Sequence, residues 1–202
     1  FCRRKFYKMK KIVFLLLLVT TFSCAQDKEP VYGETEFQKQ INADYKDAST
    51  SPLKKKDLKT FKTLDFFKFD SLYVVEATLK RTPDTKYFKM KTTTKRVSEE
   101  RVYGILTFKI KGEEFQLNVY QGKDLSEEYK DYLFLPFLDQ TNGDTSYSGG
   151  RYIDLIIPEG DKIIIDFNKA YNPYCAYNER YSCPIVPRQN YLKTKIEAGV
   201  KA

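Results

Sequence analysis

Hydrophobic positions along this chain keep two different rhythms. Between Glu34 and Asp47, Phe37, Ile41 and Tyr45 recur every fourth residue, the spacing that places side chains on one face of an α-helix. Ser49 to Pro52 breaks that pattern with turn-favouring residues. A second, short helix is predicted over Leu53 to Phe61, turning Leu58 and Phe61 inward. Lys54, Lys55 and Lys56 read as its solvated face, with membrane-headgroup contact as the alternative.

From Leu64 onward the period drops to two. Tyr73, Val75, Ala77 and Leu79 share one face of a strand, as do Val102, Gly104, Leu106, Phe108 and Ile110. Gly112 marks a hairpin into Phe115, Leu117 and Val119. Thr82-Pro-Asp84 turns the chain between the first two runs, and Tyr87 to Val97 reads as a Thr-rich strand pair or loop. After a polar link from Gln121 to Glu128 comes Tyr132-Leu-Phe-Leu-Pro-Phe137, an apolar strand whose Pro136 suggests an edge or a bulge. No internal repeat is visible. The pattern predicts a mainly β (α+β) fold: an antiparallel curved sheet, open barrel or sandwich with one or two N-terminal helices.

Arg151–Ile157 and Ile163–Asn168 are expected to pair as a hairpin through Pro158-Glu-Gly-Asp161. Matching Ile157 with Ile163, Leu155 with Ile165 and Ile153 with Phe167 keeps one face apolar, whereas a one-residue slip scatters those pairs. This register sets Asp154 opposite Asp166, and Tyr152 opposite Asn168, on the polar face. Directly opposed like charges are destabilising. A cation such as Arg151 or Arg180, a metal, a shared proton or open solvent has to offset them. A shared proton is the route to acid–base chemistry.

Composition narrows the chemistry. The 202 residues suit one domain plus a targeting segment. The formal charge of +8 suggests a nucleic-acid partner until it is located. Residues 1–24 hold six basic side chains and no acid, so of 35 basic residues 29 remain against 27 acidic ones. The charge belongs to the leader, and no nucleic-acid partner is expected. The absence of histidine excludes Ser/His/Asp and Cys/His nucleophilic machinery and imidazole metal ligation.

That leader has the order of a secretory signal peptide: Lys10-Lys11, the apolar run Ile12 to Val19, then Ser23-Cys24. Its run is shorter than the ~18–20 residues of a spanning helix. Residues 1–8 precede the natural initiator Met9 and are expected to lie upstream of the true start. Cys24 resembles the lipobox cysteine of bacterial lipoproteins, with Thr21 where Leu is usual. Residues 25–33 then form a polar tether, and residues 34–202 a single β-rich domain. The expected partners are a membrane, through a lipid anchor on Cys24, and an unknown small molecule or protein; the expected location is the cell envelope, facing the periplasm or the cell surface.

Two further stretches carry candidate chemistry. Asp139-Gln-Thr-Asn-Gly-Asp144 is rich in oxygen ligands but lacks the distal Glu of an EF-hand, so it reads as a turn. No metal and no cofactor site is assigned. Asp166 to Pro184 gathers Tyr171, Tyr174, Tyr177 and Tyr181 with Cys175 and Cys183. In an exported chain a disulfide is the default for that cysteine pair, with a redox thiol pair as the alternative. The rings either stack on a flat ligand or cover the end of the sheet.

Leu133-Phe-Leu-Pro-Phe137, Gly149-Gly-Arg-Tyr-Ile-Asp-Leu155, Asp166-Phe-Asn-Lys-Ala-Tyr-Asn-Pro-Tyr-Cys-Ala-Tyr177 and Tyr181-Ser-Cys-Pro184 together resemble the signature of domain of unknown function 1684. The likeness spans Phe37 to Gly199, and Pro184 to Asn190 departs from the family's more proline-rich pattern. It implies that Arg151, Asp154, Asp166, Asn168, Asn172, Cys175 and Cys183 belong to a shared motif, and it supplies no activity. Two functional readings follow. One is a binding or accessory domain using Tyr152, Asn168, Tyr171, Asn172, Tyr177 and Arg180. The other is a hydrolase-like enzyme using Asp154 and Asp166 beside Arg151, and a thiol switch at Cys175 and Cys183 is a separate, weaker alternative to both.

Overall fold

The computed structural model describes residues 33–202. The leader, Cys24 and most of the tether lie outside the described residues. Helix α1, Glu36–Lys46, opens with a capping box: Thr35 Oγ1 accepts the Gln38 N–H, and Gln38 Oε1 accepts the Thr35 N–H. Two of the helix's orphan donors are satisfied in this way. Asn42, on the inner side of α1, accepts the Leu64 N–H and donates to the Thr63 hydroxyl. Those bonds tie the helix to the segment entering the sheet. The second expected helix shrinks to one turn, α2 (Lys55–Leu58), which buries no residue. Four residues are too few to sustain a helix without packing.

The rest is β-rich. The strands are β1 (Val74–Arg81), β2 (Phe88–Lys91), β3 (Val97–Ile110), β4 (Glu113–Gly122), β5 (Tyr132–Phe137), β6 (Arg151–Ile156) and β7 (Lys162–Asp166). They form one antiparallel sheet in the order β6-β5-β4-β3-β1-β7, with β2 also paired to β3, curled into a half-barrel. This is the curved antiparallel sheet that the period-two pattern predicts.

Two places in this sheet, one turn and one close strand approach, rest on backbone requirements. Lys111 and Gly112 both take positive φ, at 51° and 85°, which a two-residue hairpin turn demands and which costs glycine least. Gly104 sits where β3 crosses close to β1: a Cβ there would lie 2.5 Å from Leu79 Cδ1 and 2.8 Å from the Lys80 carbonyl.

The β6–β7 hairpin does not form. β6 pairs with β5, setting Asp154 opposite Phe134, and β7 pairs with β1, setting Asp166 opposite Val74. The two strands end the sheet on opposite sides. Alternation still assigned the inward residues correctly, since Ile153, Leu155, Ile163, Ile165 and Phe167 are all in the main core. Inward-facing rows fix a face and leave the partner open. Here β5 offers β6 a six-residue register whose apolar side chains are buried on both faces.

That core fills the curl. A second cluster, Met90, Tyr120, Phe134, Tyr152 and Val186, covers the outer face. A bulge between Val102 and Gly104 moves β3 from one to the other. Val102 therefore packs with the outer cluster rather than alongside Leu106 and Phe108. Pro136 lies in β5, an interior strand, not at an edge. β4 and β5 accommodate it by pairing only at Tyr120 and Phe134.

Candidate functional site

Three segments meet to form a cleft of about 420 Å³. From α1 come Phe37, Ile41, Asp44 and Tyr45; from β6, Tyr152 and Asp154; from the stretch after β7, Tyr171, Tyr174, Tyr181 and Cys183. The stripe Phe37–Ile41–Tyr45 has a double use. Tyr45 is buried against Leu64 and Phe66, while Phe37 and Ile41 stay half-buried because they border the cleft.

β6 supplies the polar centre. Tyr152 and Asp154 share its outer face, Tyr152 buried and Asp154 exposed, while Ile153 faces the core. Tyr152 exchanges both backbone hydrogen bonds with Tyr171, so the chain after β7 continues the sheet beside β6 for one residue. This bridge brings the Tyr171 hydroxyl to Asp154 Oδ1, which also accepts the Tyr132 hydroxyl, each at 2.7 Å. Burial, followed by the Asp154 charge, pushes the pKa of both tyrosines well above the usual phenol value. Both therefore remain donors. The Tyr152 hydroxyl donates to the Pro184 carbonyl.

The remaining candidates divide. Arg151 is fully buried and pairs with Asp139 at 2.8 Å, also donating to the carbonyls of Ile196 and Ala198. Burial lowers its pKa against the opposing pull of Asp139. It pins the C-terminal segment and is out of reach of the cleft, which corrects its assignment as a catalytic group. Asp139, read above only as turn chemistry, is its counter-ion; the Thr141 N–H and hydroxyl and the Ile196 N–H occupy its other oxygen. Asp166 caps the turn Phe167–Lys169 through the Asn168 backbone and side chain. Asn168 in turn pairs its amide with both backbone groups of Asp70. The Asp154/Asp166 pair is thus not assembled, and neither Asp166 nor Asn168 lines the cleft.

Asn172 and Tyr177 stand behind the wall. The Asn172 amide donates to the Lys201 carbonyl and the Tyr177 hydroxyl, and Tyr177 packs edge-on against Tyr45 at 5.1 Å. Burial raises the Tyr177 pKa to about 12. Arg180 is exposed, with its guanidinium 4.6 Å from the Tyr181 ring centre. Cys175 and Cys183 are free thiols here; they are neighbours through a 3.2 Å contact from the Cys175 N–H to Cys183 Sγ, with no disulfide between them. Sequence reasoning missed Asp44 and the α1 wall. The only signal was a helical stripe, and stripes ordinarily mean core.

A family model described as protein of unknown function (DUF1684) matches residues 59–201. The solution NMR structure of an uncharacterized protein of Haloarcula marismortui is similar at a TM-score of 0.66 and 31% identity, covering 82% of this chain and 90% of that one. No curated protein matches the chain.

Proposed function

The chain belongs to this family of proteins of unknown function, and from that premise we propose that it is a small-molecule-binding domain whose site is the tyrosine-walled cleft. The observation that supports this is the cleft itself: a concave, largely aromatic hollow with one carboxylate oriented by two tyrosine hydroxyls. Its volume falls within the range usual for small-ligand sites. Tyr45, Tyr152, Tyr171 and Tyr174 in its wall, with Cys183, hold their protons more tightly than usual because they are buried, which suits hydrogen-bond donation rather than proton transfer near neutrality. Thermal-shift screening of small molecules on the wild type and a Tyr174→Ala/Tyr181→Ala variant tests the site. Ligands should stabilise the wild type and lose their effect in the variant; ligands indifferent to it count against the cleft.

The leader motif extends the proposal to location: a lipid on Cys24 holds the domain at the bacterial cell envelope, facing the periplasm or the surface. Stable anchoring needs more than one acyl chain, as lipobox processing supplies. Cys24→Ala should move the protein from the membrane to the soluble fraction, and unchanged partitioning would rule out acylation as the anchor.

A further inference from the structure

Resting on the cleft reading, we propose that the ligand carries an organic ammonium group. The lining includes two carboxylates, Asp44 and Asp154, and no lysine or arginine, although basic and acidic residues are nearly balanced beyond the leader. A site of that sign repels anions and favours cations.

The rings carry the argument further. Tyr174 and Tyr181 meet at 64° with centres 5.3 Å apart, Tyr45 and Tyr174 at 74°, and Tyr152 and Tyr171 at 87°. Walls set at steep angles enclose a compact, rounded group. A sugar ring would need a flat parallel platform and several free donors and acceptors. Most such partners are already engaged: the Tyr171 hydroxyl goes to Asp154, that of Tyr152 to Pro184, that of Ser182 to Thr92, and the Gln40 amide to Asp44. A cation needs neither. The negative faces of aromatic rings attract it, most strongly when it leaves water.

Asp154 is built to complete such a cage. Both tyrosine hydroxyls bind Oδ1, and Oδ2 has no hydrogen-bond partner among the described residues. The hydroxyl of Tyr45, a cleft residue only 1% exposed, is likewise unpartnered. Arg180 already lies over the Tyr181 ring, a cation on one of the same tyrosines. Its charge opposes a second cation, as does that of Arg96, which donates to the Ser182 carbonyl; the two carboxylates, unlike these arginines, belong to the lining itself.

Calorimetric titration of the full chain in nonionic micelles, with benzyltrimethylammonium as the probe, tests the inference. The comparison compound is its neutral isostere, with carbon in place of the quaternary nitrogen. Binding of the ammonium should exceed that of the isostere by about tenfold or more, the scale of a cation–π and ion-pair contribution. Asp154→Asn should remove most of that preference. Because Asp154 also holds two tyrosines, Asp44→Asn on the exposed side of α1 is the second variant, and it should weaken the ammonium alone. Equal binding of both probes, lost in the Tyr174→Ala/Tyr181→Ala variant, overturns the ammonium assignment and leaves the cleft standing. Absence of ammonium binding also overturns it. Binding of either probe that survives the tyrosine variant overturns the cleft as well.

Discussion

The side-chain amide of Asn190 hydrogen-bonds both backbone groups of Asn118. Its Oδ1 accepts the Asn118 N–H at 3.0 Å, and its Nδ2 donates to the Asn118 carbonyl at 2.8 Å and to the Pro136 carbonyl at 2.7 Å. It sits between β4 and β5, where the ladder is reduced to one pair and where Pro136 has no N–H to offer. The amide acts as an extra peptide unit inserted into the sheet. Asn190→Ala should cost roughly 2–4 kcal/mol, since one buried and two half-buried backbone groups lose their partner. Asn190→Asp should also destabilise, because a carboxylate accepts from Asn118 but donates to neither carbonyl. Urea unfolding of the two variants checks this, and wild-type stability in either would refute the bridging role.

Arg151 and Asp139 should behave as one unit. Removing either leaves the other charge buried without its counter-ion, a loss of roughly 3–5 kcal/mol for Arg151→Met. An Asp139→Asn/Arg151→Met double variant should lose less than the sum of its parts. A double-mutant cycle measured by denaturation reads that coupling directly. Additive losses would mean that the pair does not hold the C-terminal segment as described.

How far the sequence reaches is plain from these residues. Period-two alternation named the inward rows of β1, β4, β6 and β7, and that of β3 beyond its bulge, because burial on one face writes itself into every second position. Strand partners left no such mark: β6 and β7 look like a hairpin by spacing and are separated by four strands. The candidate site was half visible. Asp154, Tyr152, Tyr171 and Cys183 stand in the cleft, whereas Arg151, Asp166 and Asn168 are framework. A buried arginine, a capping aspartate and a backbone-mimicking asparagine are polar residues used structurally. Their composition alone matches that of a site.

Glu100 presents the opposite case, a group that costs stability. It is 8% exposed; one oxygen accepts the Ser98 hydroxyl and the other has no partner. Burial raises its pKa above the ordinary 4.5, against the weaker opposing pull of Ser98 and Arg96. The folded state therefore binds the proton more tightly than the unfolded chain. Stability from this group is complete below the ordinary value and is lost as pH rises through the folded pKa. Glu100→Gln should gain about 1 kcal/mol at neutral pH, with the gain vanishing in acid. Thermal melts across that range check it, and a gain independent of pH would contradict the cause given.

Cys183 titrates at the other end of the scale. Burial lifts its thiol from 9.0 to about 11, and its neighbour Cys175 contributes in both directions. The thiolate is the reactive form, so a thiol held neutral and only 7% exposed should resist alkylation near neutrality. The half-buried Cys175 should react first with iodoacetamide, and labelling of Cys183 should accelerate as pH climbs towards its raised value. Stability follows the same proton. Below pH 9 both states keep it; between about 9 and 11 the unfolded chain releases it while the fold retains it, so this contribution is lost as the solution becomes alkaline. Cys183→Ser should flatten that decline. Mass spectrometry of the two cysteine peptides, alongside alkaline denaturation, reads both effects. Equal labelling rates at neutral pH, or no free thiol at either position, would refute this account of the pair.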